Sequence, residues 1–132
     1  MKLVDIFEAP KQTAWVILFT SDKLILGKRA PTSSNPNQWN FFGGGVDEGE
    51  SPVEAAVREL KEEAHVSVTS GQLKKIAEIG NATYFSCKVD NAGTASASKE
   101  ISKVKSFKLV DLPDNLHSKT QNFFDKLDNL LQ

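Results

Sequence analysis

The chain has 132 residues, 39% hydrophobic and 25% charged, which fits one globular domain (residues 1–132) around a modest core. Its 16 basic and 17 acidic side chains give a formal net charge of −1, which argues against a protein whose main work is to coat nucleic acid. The only cysteine, Cys87, excludes an intramolecular disulfide. Because MKLVDIFEAPKQ lacks the apolar segment of a signal peptide and the longest apolar run, AWVILF, is too short to cross a bilayer, we expect a cytoplasmic protein with no membrane partner.

The first part of the chain predicts a β-hairpin and a polar loop. TAWVILFT is rich in β-branched and aromatic residues, KLILGKRA predicts a second strand, and Ser21-Asp22 indicates the turn between them. Residues 31–38, PTSSNPNQ, are typical of a loop. WNFF, the glycines Gly43–Gly45 and a turn through Asp47-Glu48-Gly49 follow.

A well-capped helix is predicted next, from Pro52 to Ala64. Ser51 is a good N-cap, Pro52 suits the first helical position, and Glu54 completes an S-x-x-E capping box. Beyond this helix, VSV, KKIAEI, TYFSCKV and ISKVKSFKLV predict strands, and DNAGTASASK predicts a loop. Apolar residues at helical spacing between His117 and Leu131 predict a final packing helix.

The first helix carries an unusual acidic cluster. On a helical wheel its core stripe consists of Val53, Ala56, Val57, Leu60 and Ala64. Glu59, Glu62 and Glu63 share another arc, together with Ala55, whose small side chain we expect to leave open space beside them. Like charges three and four residues apart repel by a few tenths of a kcal/mol per pair, so we expect compensating cations. Carboxylate oxygens suit Mg²⁺ or Mn²⁺; a solvated acidic surface is the alternative.

The spacing of the fixed residues around this cluster is more specific. Gly44, Glu50, the run Arg58-Glu59-Leu60-x-Glu62-Glu63 and Val66 resemble the signature G-x5-E-x7-R-E-U-x-E-E-x-G-U of the Nudix (MutT-like) hydrolases, in which U is a bulky aliphatic residue. The segments LILGKRA, QWNFFGG and KEISKVKSFKLVDLP extend the resemblance over most of the chain. It implies an α/β fold, the Nudix α/β/α sandwich with a mixed β-sheet between helices.

Two residues depart from the family pattern. His65 stands where the family has glycine, and we expect it to form a left-handed cap at the helix end, since histidine reaches positive φ more readily than most residues. Phe42 stands where proline is common, and its ring would then lie near the substrate.

The resemblance implies a hydrolase that uses Mg²⁺ or Mn²⁺ to cleave the pyrophosphate of a nucleoside diphosphate linked to another group. We expect a (deoxy)nucleoside triphosphate pyrophosphohydrolase. Dinucleoside polyphosphate or nucleotide-sugar hydrolysis is the alternative, followed by a Nudix-fold sensor that binds a nucleotide without cleaving it and by an acidic-helix interaction domain. The expected partner is a small-molecule nucleotide, with no polymeric nucleic acid; homodimerisation is left open.

The resemblance also implies roles for individual residues. Glu59, Glu62 and Glu63, with the carbonyl of Gly43, would hold the metal, while Arg58 would orient the carboxylates and Glu50 would support the start of the helix. Glu62 and Glu100 are the candidates for general base; Glu100 is otherwise a further ligand or a surface residue. Substrate contacts are expected from Arg29 (to phosphate, or else a solvated charge), from the backbone at Gly44 and Gly45, and from Phe42 and Tyr84 (stacking on a base, or else core).

Overall fold

The structure, a computed structural model, describes residues 11–131, and the side chains of residues 11–129. The N-terminal segment MKLVDIFEAP and Gln132 lie outside the described residues. The described part contains seven strands and two α-helices: β1 Thr13–Phe19, β2 Leu24–Arg29, β3 Trp39–Asn40, β4 Phe42–Gly45, α1 Pro52–Ala64, β5 Lys74–Ile79, β6 Ala82–Lys88, β7 Ile101–Phe107 and α2 Ser118–Leu131. Neither helix is long and apolar enough to cross a membrane.

Strand β1 organises the mixed sheet. It runs parallel to β6 along its whole length on one side. On the other side, its first residues pair antiparallel with β4, and Leu18 and Phe19 pair antiparallel with β2. Strand β2 in turn pairs with β3 and β7, so β1 and β2 diverge and the two short strands occupy the gap between them. The glycines of β4 are therefore fixed against the start of β1.

The sheet separates two hydrophobic cores. Alternate β1 residues point to opposite faces, because side chains in a strand alternate with a period of two. Ala14, Val16 and Leu18 belong to the core that contains α1, whereas Trp15 and Ile17 belong to the core that contains Phe123 and Phe124 of α2. The predicted α/β/α sandwich is thus confirmed.

The ends of α1 are fixed by the residues that the sequence indicated. Ser51 Oγ accepts a hydrogen bond from the Glu54 N–H, and the Glu54 carboxylate accepts one from the Ser51 N–H. At the other end His65 adopts the left-handed conformation, with φ 57° and ψ 32°, and its N–H points at the carbonyls of Leu60 and Lys61. The capping box, the helix bounds and the left-handed cap are confirmed.

Two local predictions are wrong. Residues 66–68, VSV, form no strand; they follow the cap as irregular backbone, with Val66 buried in the α1 core and Val68 packed against it. Ala55 leaves no open space, since it is fully buried in the same core. Helix α1 packs closely against β4 and β1, so the buried surface extends beyond the aliphatic stripe and includes Glu63, which is only 5% exposed.

Candidate active site

Arg58 is the centre of the acidic cluster. Its Nε and Nη2 each donate to one oxygen of Glu50, both over 2.9 Å. Its Nη1 donates to Glu59 over 2.9 Å and, more weakly, to Glu62 over 3.4 Å. The hydrogen bonds that Arg58 donates to Glu50 and Glu59 raise the pKa of Arg58, so it stays charged at every accessible pH. One guanidinium therefore contacts three carboxylates, and its role in positioning them for a metal stays a prediction.

Two further partners of Arg58 were not anticipated. Nη2 also donates to the carbonyl oxygen of Gly45 over 3.0 Å, and Asp47 Oδ2 lies 3.4 Å away. The Asp47 N–H in turn donates to Glu50 over 3.0 Å. The acidic turn before the helix was the sequence signal for this contact. Arg58 and Glu50 together fasten the loop between β4 and α1 to the helix.

Glu59 lies directly on the backbone of β4. A Cβ atom added to Gly44 would lie 2.9 Å from Oε1 and 3.0 Å from Cδ of Glu59. Burial raises the pKa of Glu59, although the neighbouring Arg58 lowers it. The Glu59 carboxylate of α1 therefore packs directly against the backbone of β4. Only glycine at position 44 leaves room for the carboxylate in this position.

Glu63 is the most deeply buried member of the cluster. Its Oε1 accepts the N–H of Gly43 over 2.7 Å. Burial raises the pKa of Glu63 to about 8, and the nearby negative charges of Glu59 and Glu100 act in the same direction, against the Gly43 hydrogen bond and Arg29. Because the charged form of this buried carboxyl group is disfavoured, the group is stabilised either by a bound proton or by a nearby cation.

The donor chemistry of this cluster fits a hard divalent ion, because each of its glutamates offers carboxylate oxygens. Glu62 is 57% exposed and faces solvent. In the part of the chain that the structure describes, no three carboxylates are already gathered as a metal cage. Arg58 holds Glu59 and Glu62, so both side chains would have to turn toward the buried Glu63 to share one ion. Joint ligation, with the Gly43 carbonyl as a further ligand, stays a prediction.

Arg29 and Glu100 lie on the same side of the molecule as the cluster. Arg29 ends β2, and its Nε and Nη2 donate to the carbonyl and hydroxyl oxygens of Ser34, over 2.7 and 3.1 Å. Glu100 precedes β7, and its backbone oxygen accepts the Ala30 N–H over 2.9 Å. Glu100 raises the pKa of both Glu59 and Glu63. Both residues are therefore within electrostatic reach of the carboxylates, and the exposed side chain of Arg29 is hydrogen-bonded to the loop that follows β2.

The two aromatic residues expected to stack on a base are not available for it. Phe42 is 0% exposed and lies in the α1 core, where its ring contacts Gly27. Tyr84 is 1% exposed among Phe41 and Phe123, and its hydroxyl donates to the Lys119 carbonyl. Burial raises the Tyr84 pKa to about 12. These two substrate-binding predictions are wrong, because strand position placed both rings inside the protein.

The chain resembles one known family and several known proteins in sequence. The family described as NUDIX domain matches residues 9–127. The CTP pyrophosphohydrolase of Escherichia coli (strain K12) is 33% identical over 72 residues, which cover 54% of this chain and 48% of that protein. The RNA pyrophosphohydrolase of Erythrobacter litoralis (strain HTCC2594) is 40% identical over 57 residues, or 43% of this chain and 35% of that protein. The match thus spans less than half the length of either curated relative.

Solved structures share the fold. The MutT protein of Methanosarcina mazei Go1 superimposes with a TM-score of 0.74 at 21% identity, covering 95% of this chain and 98% of that one. A MutT NUDIX hydrolase of Burkholderia pseudomallei gives a TM-score of 0.72 at 19% identity, covering 89% and 98%. The arrangement of sheet and helices is therefore common to these proteins over nearly their whole length.

Proposed function

Because the chain belongs to the NUDIX domain family, we propose that it is a divalent-metal-dependent hydrolase that cleaves a pyrophosphate bond of a nucleoside triphosphate. The observation that carries this proposal is the joint placement of Glu50, Glu59 and Glu62 by Arg58, beside the buried Glu63. Three glutamates held by one arginine, with a fourth buried beside them on the glycine strand, suit a substrate that brings its own negative charge together with metal ions.

Glu59, Glu62 and Glu63 would hold Mg²⁺ or Mn²⁺. When bound, the metal would neutralise charge on the phosphate oxygens and make water a better nucleophile. Glu50 keeps Arg58 in place, Arg58 presents Glu59 and Glu62, and the Gly43 N–H fixes the orientation of Glu63. These contacts keep the carboxylates at the site, from which Glu59 and Glu62 would turn away from Arg58 toward the ion when it binds.

In the proposed reaction a water oxygen bonds to phosphorus while the phosphorus–oxygen bond of the anhydride breaks. The bonding electrons leave with pyrophosphate, and a carboxylate accepts the proton of the attacking water. Glu62 is our first candidate for this base because its carboxylate, 57% exposed, is the most exposed of the three proposed metal ligands Glu59, Glu62 and Glu63. Glu100 is the second candidate.

The names of the two relatives suggest which triphosphates to test. One is named for CTP and the other for RNA. We place free nucleoside triphosphates first, because the relative named for CTP matches the longer stretch of this chain, 72 residues against 57, and the 5′ end of a triphosphorylated RNA second. The second candidate departs from the expectation that no polymeric nucleic acid is bound.

The test is a hydrolysis panel with Mg²⁺, with products separated by ion-exchange chromatography. We expect nucleoside triphosphates to yield monophosphate and pyrophosphate, and we expect EDTA to abolish the reaction. Glu63→Gln should lower the turnover by several orders of magnitude and leave the circular dichroism spectrum unchanged. Metal-independent hydrolysis, or a Glu63→Gln variant with a near-normal rate, would contradict the proposal. Binding without cleavage of any substrate would favour the sensor function.

A further inference from the structure

A polar cleft of about 320 Å³ opens between the loop after β2 and the residues just before β7. Two cationic side chains, one carboxylate and three hydroxyl side chains line it: Arg29, Lys99, Glu100, Thr32, Ser33 and Ser34. The volume is at the lower end of the range for small-molecule sites, about 300–1,000 Å³. A polar cleft of this size suits part of a nucleotide, such as its phosphates.

The walls of this cleft are held by hydrogen bonds. The Ala30 N–H binds the Glu100 carbonyl over 2.9 Å and thereby joins the two walls. The Ser33 hydroxyl donates to the Ala30 carbonyl over 2.7 Å, and Arg29 makes its two bonds to Ser34. Arg29 is the last residue of β2 and pairs with Ile101 of β7, so the sheet fixes the position of the cleft. The cleft is therefore formed without a ligand.

The cleft lies next to the proposed catalytic carboxylates. Helix α1 contacts β7, and Ile101, the first residue of β7 and the neighbour of Glu100, is buried in the same core as Leu60 of α1. When one phosphate of a polyphosphate is bound at the carboxylates, its other phosphates can therefore extend into the cleft. The two cations outnumber the one carboxylate, so the cleft favours an anion.

We propose that this cleft binds the terminal phosphates of the substrate and that Lys99 is the residue that makes the protein prefer triphosphates to diphosphates. This inference rests on the proposed function. A triphosphate carries one more phosphate than a diphosphate, and that group would reach the ammonium of Lys99. Arg29 is already engaged with Ser34, whereas a lysine ammonium on a flexible stem can follow a terminal phosphate and donate to several of its oxygens.

The experiment compares wild type with Lys99→Ala, Lys99→Arg and the control Lys103→Ala. Lys103 is an exposed lysine on β7, four residues further along, and does not line the cleft. For each protein, kcat/KM is measured for the triphosphate and the diphosphate of one nucleoside. The Kd of the non-cleavable α,β-methylene analogue of each nucleotide is measured by calorimetry with Mg²⁺, so that slow turnover does not prevent the comparison.

We expect Lys99→Ala to weaken triphosphate binding and lower its kcat/KM by about tenfold or more, while the diphosphate values change by less than about twofold. Lys99→Arg should recover most of the loss, and Lys103→Ala should resemble wild type. An equal loss for both nucleotides, or no loss for either, would overturn the inference even if hydrolysis is confirmed. A wild type that binds the analogues but cleaves nothing would refute the proposed function, and the ratio of Kd values would still decide the role of Lys99.

Discussion

The carboxylate of Glu50 and the guanidinium of Arg58 form two parallel hydrogen bonds of 2.9 Å, one from Nε and one from Nη2. This planar pairing joins the loop before α1 to the middle of the helix. The remaining nitrogen, Nη1, is thereby aimed at Glu59 and Glu62. The orientation of the proposed metal-binding carboxylates thus depends on a residue that need not touch the metal.

Replacing Arg58 by lysine should keep the positive charge and lose this geometry. A lysine ammonium cannot make two parallel bonds to Glu50 and also hold Glu59. We expect kcat to fall by about 10–100-fold, as is common when a group that orients metal ligands is removed. Steady-state kinetics at saturating Mg²⁺ measures this change in kcat. Lys61→Ala, on the exposed face of the same helix, is the control. A normal kcat for Arg58→Lys would show that charge alone is sufficient.

Glu50 should make the stability of the protein sensitive to acid. Its hydrogen bonds with Arg58 and Asp47 lower its pKa to about 2 in the folded protein, from 4.5. The folded state therefore binds fewer protons than the unfolded state between these pH values, so the stabilisation is complete above about pH 4.5 and is lost as the pH falls toward 2. Urea unfolding of wild type and Glu50→Gln should show a stability gap that is widest near neutral pH and closes in acid. A gap independent of pH would contradict the role of this ion pair.

The neighbouring glycines Gly43 and Gly44 should respond differently to alanine. At Gly43 a Cβ atom would lie 2.1 Å from the Ala14 carbonyl oxygen, so β1 and β4 would have to separate. We expect that substitution to destabilise the fold by about 2 kcal/mol or more. At Gly44 the new atom would meet only the end of the Glu59 side chain, which can turn away.

Gly44→Ala should therefore stay folded, within about 1 kcal/mol of wild type, and lose activity by about tenfold or more because Glu59 is displaced. Denaturant unfolding and kcat/KM, measured on the same preparations, separate the two effects. Equal stability losses for the two variants, or a fully active Gly44→Ala, would show that Glu59 does not depend on this contact.

The cap at His65 should be replaceable by glycine with a gain in stability. A non-glycine residue at φ 57° costs about 1–2 kcal/mol, whereas glycine adopts this conformation freely but adds entropy to the unfolded chain. The net gain for His65→Gly should be about 0.5 kcal/mol, with unchanged kcat. A loss of rate would show that the imidazole takes part in the reaction, and a loss of stability would show that its contacts outweigh the backbone strain.

Features fixed by local chemistry were predictable from the sequence. The capping box of Ser51 and Glu54 and the cap at His65 define α1, because each rests on bonds between residues close in the chain. The spacing of the acidic residues led to the cluster around Arg58 for the same reason. The segment VSV at 66–68 has the apolar alternation of a strand, but Val66 and Val68 pack into the core and the segment does not join the sheet.

Features set by long-range packing were not predictable. Ala55 lies in the acidic arc of an isolated helical wheel, but α1 packs on β4 and β1 and buries it. Aromatic residues in segments such as those of Phe42 and Tyr84 belong more often to a core than to a binding surface, but only the sheet fixes which way each ring points. The cleft that contains Lys99 joins two segments almost seventy residues apart, and only the pairing of β2 with β7 brings them together.

The most direct test of the account is a crystal of the protein grown with Mn²⁺ and a non-cleavable nucleoside triphosphate, with anomalous scattering recorded for manganese. We predict a manganese peak about 2.1 Å from carboxylate oxygens of Glu59 and Glu63, with phosphate oxygens completing the coordination and Glu62 turned inward. Nucleotide bound elsewhere, or bound manganese that leaves all three carboxylates in contact only with protein or solvent, would contradict the central claim.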